Sequence, residues 1–249
     1  MGSATLTMLV RLDNKKGRNE QLKTKLWKIG GFSGWGWVMI LLVLLNFVQL
    51  PTMFLKQGST WQLVGWCVLY IVGFVLTAFI GFWAWRHFRP RPWQRLTGKD
   101  WWLMVRAYGF ILLVEAVLGI VNSLLYHETS TANNQAISQI MGRSSLTMIM
   151  LSITVVLASP VVEELTFRGV LLDGCFSQKS FWLPVMISGA VFSIPHMSDN
   201  PVSWVIYAVM GGTFAYVYRK TDKLQSTIIL HAFNNLIAVG LMLLSLKIK

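Results

Sequence analysis

The chain has 249 residues, of which 54% are hydrophobic and only 13% charged, with a mean hydropathy of +0.54. That composition excludes an ordinary soluble domain and indicates a polytopic membrane protein. The formal net charge is +12, but the basic residues stand in short clusters between apolar runs, where they satisfy the positive-inside rule and meet anionic lipid, so nucleic acid is excluded as a partner.

Taken in order, residues 1–30 form a basic lead with Arg11, Lys15, Lys16, Arg18, Lys23, Lys25 and Lys28, expected on the cytoplasmic leaflet. A polar lead ahead of a long first apolar run indicates no cleavable signal. Apolar runs of the ~20 residues that a helix needs to cross the hydrocarbon predict a first span from Phe32 to Leu55 and a second from Trp61 to Trp85. The basic, tryptophan-rich stretch from Arg86 to Arg106 reads as a cytoplasmic interfacial loop, followed by a third span from Ala107 to Tyr126. His127 to Ser145 is polar and reads as an outer loop. Further apolar runs extend over Leu146–Val162, Phe181–Pro195, Val202–Tyr218 and Ser226–Leu246. Counting basic residues keeps Arg168, Lys179, Arg219, Lys220 and Lys223 on the side of the N-terminus, which is read as cytoplasmic. Seven spans would then leave Lys247 and Lys249 outside, so a further break or half-span is expected. The predicted fold is all-α, a polytopic bundle of about seven to eight transmembrane helices with a basic interfacial lead. It forms one membrane domain, with 31–145 free of motifs and 146–249 carrying the chemistry. Cys67 and Cys175 have no partner at metal-ligand spacing and read as small packing residues.

Charge inside apolar runs points to function, because a charged side chain at the bilayer centre costs roughly 2.5 kcal/mol or more on insertion scales. The stretch SPVVEELTFRGVLLDG places Glu163 and Glu164 directly after such a run, with Arg168 at i+4 from Glu164. On a helix that arginine faces Glu164 and holds it ionised, leaving Glu163 for another task; the alternative is an ordinary ion pair at a helix end. His196 closes the fifth run, and His231 opens the seventh with Asn235 one turn later on the same face. Polar groups in lipid need partners and the simplest are one another, so these residues predict a shared hydrophilic cavity. Glu115 lies inside the third span, where pairing, cavity lining or a proton path all stay open. A carboxylate with an imidazole can take a proton from water and return it to a leaving amine, and a second imidazole with a carboxamide can stabilise an oxyanion. No GxSxG nucleophile elbow is present and neither cysteine neighbours a histidine, so activated water is preferred to a covalent route.

Glu163, Glu164 and Arg168 fit EExxxR, Phe192 and His196 fit FxxxH, and His231 and Asn235 fit HxxxN. In order and spacing the chain from about Leu146 to Leu246 resembles the CPBP intramembrane proteases, a group that includes CAAX prenyl endopeptidases and the bacterial Abi or bacteriocin-processing proteins. The resemblance implies that Glu163 and His196 activate the hydrolytic water, that His231 and Asn235 form the oxyanion site, and that Glu164 with Arg168 orders Glu163. No cofactor is favoured. Zinc is the alternative and would use Glu163, His196 and His231, since His2Glu sets occur in catalytic zinc sites, although HExxH is absent. The implied substrate is a membrane-associated peptide or protein, the setting a bacterial cytoplasmic membrane, and the role peptide maturation or self-immunity. A non-proteolytic immunity or regulatory protein and a small proton-coupled transporter using Glu115 are the rival readings. Straight helices would leave His231 roughly 10 to 15 Å from the level of Glu163 and His196, so breaks are expected at Pro160, Pro195 and Pro201.

Overall fold

The computed structural model describes residues 33–56, 58–90 and 92–247; the basic lead at 1–30, the start of the first span at Phe32, and Lys249 lie outside them. Among the described residues the fold is helical throughout: α1 (Gly34–Phe47) with a 3-10 extension (Leu50–Phe54), α2 (Thr60–Phe88), α3 (Gly98–Tyr126), α4 (Ala132–Met141), α5 (Ser145–Cys175), α6 (Trp182–Ser193), α7 (Pro201–Thr221) and α8 (Leu224–Lys247). Five of these segments are long and apolar enough to cross a membrane: Gly34–Phe54, α2, α3, α5 and Leu224–Leu246. Their outward faces stay apolar, with Phe79 67% and Leu124 72% exposed. Such surfaces suit lipid contact and would be a liability in water. This is a multi-pass membrane protein.

Several predicted boundaries move, each for a local reason. The interfacial loop is confined to residues 89–97, because α3 starts at Gly98 on a capping box in which the Thr97 hydroxyl accepts from Asp100 N–H and the Asp100 carboxylate accepts from Thr97 N–H. Hydropathy alone overlooks the first turns, since they carry Lys99 and Asp100 and are followed by Arg106. The polar segment after α3 is not all loop: Thr131 caps the ten-residue α4. The fourth apolar run continues past the carboxylate pair to Cys175, so Glu163 and Glu164 lie well inside α5 rather than at its end. Two π-helical segments, Thr154–Ala158 and Leu165–Val170, interrupt α5 on either side of the pair.

α6 falls short of a full span. Its 12 residues rise about 18 Å, short of the ~30 Å hydrocarbon core, and it stops at Ser193 ahead of Pro195. Residues 194–200 run without regular helix until Asn200 caps α7, with Pro201 in its first turn. Irregular backbone at such a depth is tolerated where protein surrounds it. α7 has the length of a span but interrupts its apolar residues with Tyr207, Gly211, Gly212, Thr213, Tyr216 and Tyr218. It is largely enclosed and packs chiefly on α6 and α3.

Close approach of α6 and α7 depends on Gly189, where a Cβ would collide with Ala208 O and come within 2.9 Å of Gly212 N. Backbone cannot yield as a side chain does. Gly189→Ala is therefore expected to lower the thermal midpoint of the detergent-solubilised protein by roughly 4 °C or more. Gly119→Ala on α3, which meets nothing within 4 Å, should leave the midpoint unchanged or slightly raised. Equal midpoints for both variants would contradict this packing.

At the basic end of the bundle, Asp173 on α5 accepts hydrogen bonds from Arg89 Nη1 (2.9 Å), Trp85 Nε1 (3.1 Å), Gln178 and Tyr218 OH. Asp100 holds Lys223 at 2.6 Å. These contacts tie α2, α3, α5 and the α7–α8 turn together below the site.

Candidate active site

Three elements converge on the second half of α5. It contributes Glu163, Glu164 and Arg168; the irregular turn after α6 contributes His196; α8 contributes His231. Glu163 Oε2 lies 3.9 Å from His196 Nε2 and 3.8 Å from His231 Nε2, and it has no hydrogen-bond partner among the described residues. The breaks around Pro160 and Pro195 thus bring together groups that straight helices would keep apart. Exposure divides the set: the side chains of His196 (16%) and Glu163 (12%) are partly exposed, although Glu163 Oε2 itself is buried, whereas those of His231 (2%), Glu164 (0%) and Arg168 (0%) are enclosed.

The enclosed groups form a relay. Glu164 Oε1 stands 3.1 Å from Arg168 Nη1 and 2.9 Å from His231 Nδ1, so the i+4 pairing of Glu164 with Arg168 is present. Glu164 also holds His231, and no hydrogen bond or ion pair links its side chain to Glu163 among the described residues. Arg168 is fixed in turn by donating Nη2 to Gly211 O at 2.7 Å, and its guanidinium lies 4.7 Å from the centre of the Phe192 ring and 5.3 Å from that of Phe214. Phe214 stacks on His231 at 4.8 Å and Tyr207 stacks on His196 at 4.5 Å. Phe192 sits between the imidazoles, 4.5 Å from His196 and 5.6 Å from His231. Aromatic faces therefore set both ring planes.

Hydrogen bonding sets the tautomers. His196 Nδ1 is 2.8 Å from Phe192 O, and a carbonyl only accepts, so Nδ1 carries the hydrogen. His231 Nδ1 likewise donates to Glu164, whose charge Arg168 stabilises. In the neutral rings both Nε2 atoms are then lone-pair acceptors aimed at the Glu163 carboxylate. Three acceptors face one another at distances too long for direct hydrogen bonds.

Asn235 lies on the same face of α8 one turn beyond His231, and its Nδ2 donates to Val155 O at 2.9 Å. Glu115 is half-buried on α3 and makes no hydrogen bond or ion pair with these residues. Tyr207, Gly211 and Phe214 were not anticipated; their i, i+4, i+7 spacing on α7 marks one helical face and was the available signal. A zinc ion with bonds of about 2.0 Å needs tetrahedral donors about 3.3 Å apart. Glu163 Oε2 stands farther than that from His196 Nε2 (3.9 Å) and from His231 Nε2 (3.8 Å), and no group of three His, Cys, Asp or Glu among the described residues is placed to hold an ion.

Residues 145–237 match the family described as type II CAAX prenyl endopeptidase Rce1-like. This region of the chain is similar to the CPBP family. The matched region contains Glu163, Glu164, Arg168, Phe192, His196, His231 and Asn235. A relative, YdiL of Bacillus subtilis (strain 168), itself named as a candidate membrane peptidase, is 28% identical over 125 residues, which is 49% of this chain and 49% of that protein. The chain thus spans about half the length of the curated relative it matches. No solved structure gives a significant match. Helices α1–α3, which precede the matched region, supply packing for α5 and α7 and carry none of its motif residues.

Proposed function

We propose that the protein is an intramembrane endopeptidase that hydrolyses a membrane-associated peptide or protein with water activated by Glu163 and His196. The observation that carries this is the unpartnered Glu163 carboxylate facing two imidazole Nε2 atoms at 3.8 and 3.9 Å. A water has two O–H donors and fits between such acceptors, giving one hydrogen to Glu163 and one to His196 while its lone pair points to the substrate carbonyl. The carboxylate takes the proton as the C–O bond forms and returns it to the amine as the C–N bond breaks. His231, oriented by Glu164, turns its Nε2 edge to the same space and, in the form that carries a hydrogen there, would donate to the developing oxyanion. Neither step calls on a metal.

The family match and the relative named as a peptidase support proteolysis. A bacterial cytoplasmic membrane is the proposed setting, with the N-terminus cytoplasmic and the clustered Arg89, Lys220 and Lys223 on the same side. Peptide maturation or self-immunity is the proposed role. The test uses the purified chain in liposomes with a peptide anchored by an acyl chain, and reads new termini by mass spectrometry. Cleavage is expected, and it should persist after exhaustive chelation. Stoichiometric zinc whose removal abolishes cleavage would overturn the metal-free reading; absence of any new terminus across a peptide panel would count against proteolysis.

A further inference from the structure

The first π segment of α5 ends with Ser159 N–H donating to Thr154 O, five residues back. In that register the next carbonyl is Val155 O, whose donor would be the backbone N–H of residue 160. Residue 160 is proline and has none. A carbonyl left without a donor inside a membrane costs free energy. Asn235 Nδ2, reaching across from α8, lies 2.9 Å from this carbonyl.

We propose that Asn235 is a positioning residue whose side-chain amide replaces the backbone donor that Pro160 lacks, holding the π turn and so setting the rotation of Glu163. A π turn takes in one extra residue, which rotates everything after it by about 100° relative to an unbroken α-helix. Upstream, Thr154 Oγ1 is held to Tyr70 OH on α2 at 2.7 Å. Downstream, Arg168 is held to Gly211 O at 2.7 Å. Glu163 lies between these anchors, so its direction follows the register that the π turn imposes. His231 to Glu164 and Asn235 to Val155 are two rungs from one face of α8, which aligns that helix with α5 at the point where the register changes. The consequence for Glu163 rests on the reading of that residue as the catalytic carboxylate; the replacement of the missing donor does not.

The test is a double-mutant cycle on the full chain in detergent: wild type, Asn235→Ala, Pro160→Ala and both together. With proline at 160, Asn235→Ala should lower the thermal midpoint by roughly 4 °C or more. The Pro160→Ala substitution restores an N–H, so the penalty of Asn235→Ala should fall by about half or more in that background. Equal penalties in both backgrounds would overturn the proposal. The same four proteins are then compared on peptides whose release depends on Glu163. Asn235→Ala should slow cleavage by about tenfold or more with Pro160 present, and by much less in the Pro160→Ala background. A loss of equal size in both backgrounds would mean that Asn235 acts on the reacting atoms, and would overturn the positioning role. Should no peptide depend on Glu163, the proteolytic reading fails, while the thermal cycle still decides whether Asn235 replaces the Pro160 donor.

Discussion

Glu163→Gln is expected to slow peptide cleavage by about 10² to 10⁴-fold, the range that a positioned general base contributes, without loss of thermal stability. Glutamine keeps the size of the side chain and its place between the imidazoles but cannot accept the proton of an attacking water. The carboxylate oxygen it replaces has no hydrogen-bond partner among the described residues and is set in a largely apolar bundle. Removing an unpaired charge from such a place relieves desolvation. The thermal midpoint should therefore hold or rise while activity falls, as expected where a strained site serves catalysis. Parallel measurement of cleavage and of the midpoint in detergent checks both halves. A variant that cleaves as well as wild type would remove Glu163 from the chemistry.

Arg168→Met should have the largest effect on folding. Arg168 has a side-chain exposure of 0%, as does Glu164, and breaking a buried pair by removing one partner costs about 3 to 5 kcal/mol. In a chain of this size that corresponds to a fall of roughly 10 °C in the thermal midpoint. The loss reaches the site as well: Gly211 O loses its donor, and Glu164 loses the guanidinium 3.1 Å from its Oε1. Adding Glu164→Gln should recover part of the midpoint, because no uncompensated charge is then buried, but it should not recover cleavage, because His231 loses its carboxylate. A midpoint unchanged by Arg168→Met would contradict the enclosed pair.

The site was largely legible in the sequence because its residues break apolar runs. Glu163, Glu164, His196 and His231 each sit where lipid would penalise them, and the structure brings all four together. Their division of labour was not legible. An i+4 spacing shows that Arg168 can face Glu164, but only the approach of α8 shows that the other partner of Glu164 is His231. The π segments were hidden because hydropathy is blind to a single extra residue in a turn; Pro160 marked only the neighbourhood. Charge and polarity hide the first turns of α3 and the whole of α4, which only the caps at Thr97 and Thr131 mark. Tyr207 and Phe214 looked like ordinary apolar filling of α7, and their stacking on the two histidines depends on the α6–α7 crossing at Gly189.

The most direct measurement is mass spectrometry of peptides released by cells that carry the wild-type chain and by cells that carry Glu163→Ala at matched membrane abundance. If Glu163 activates water for peptide hydrolysis, a defined set of new termini is present with the wild type and missing with the variant. Identical peptide profiles from the two strains would contradict it.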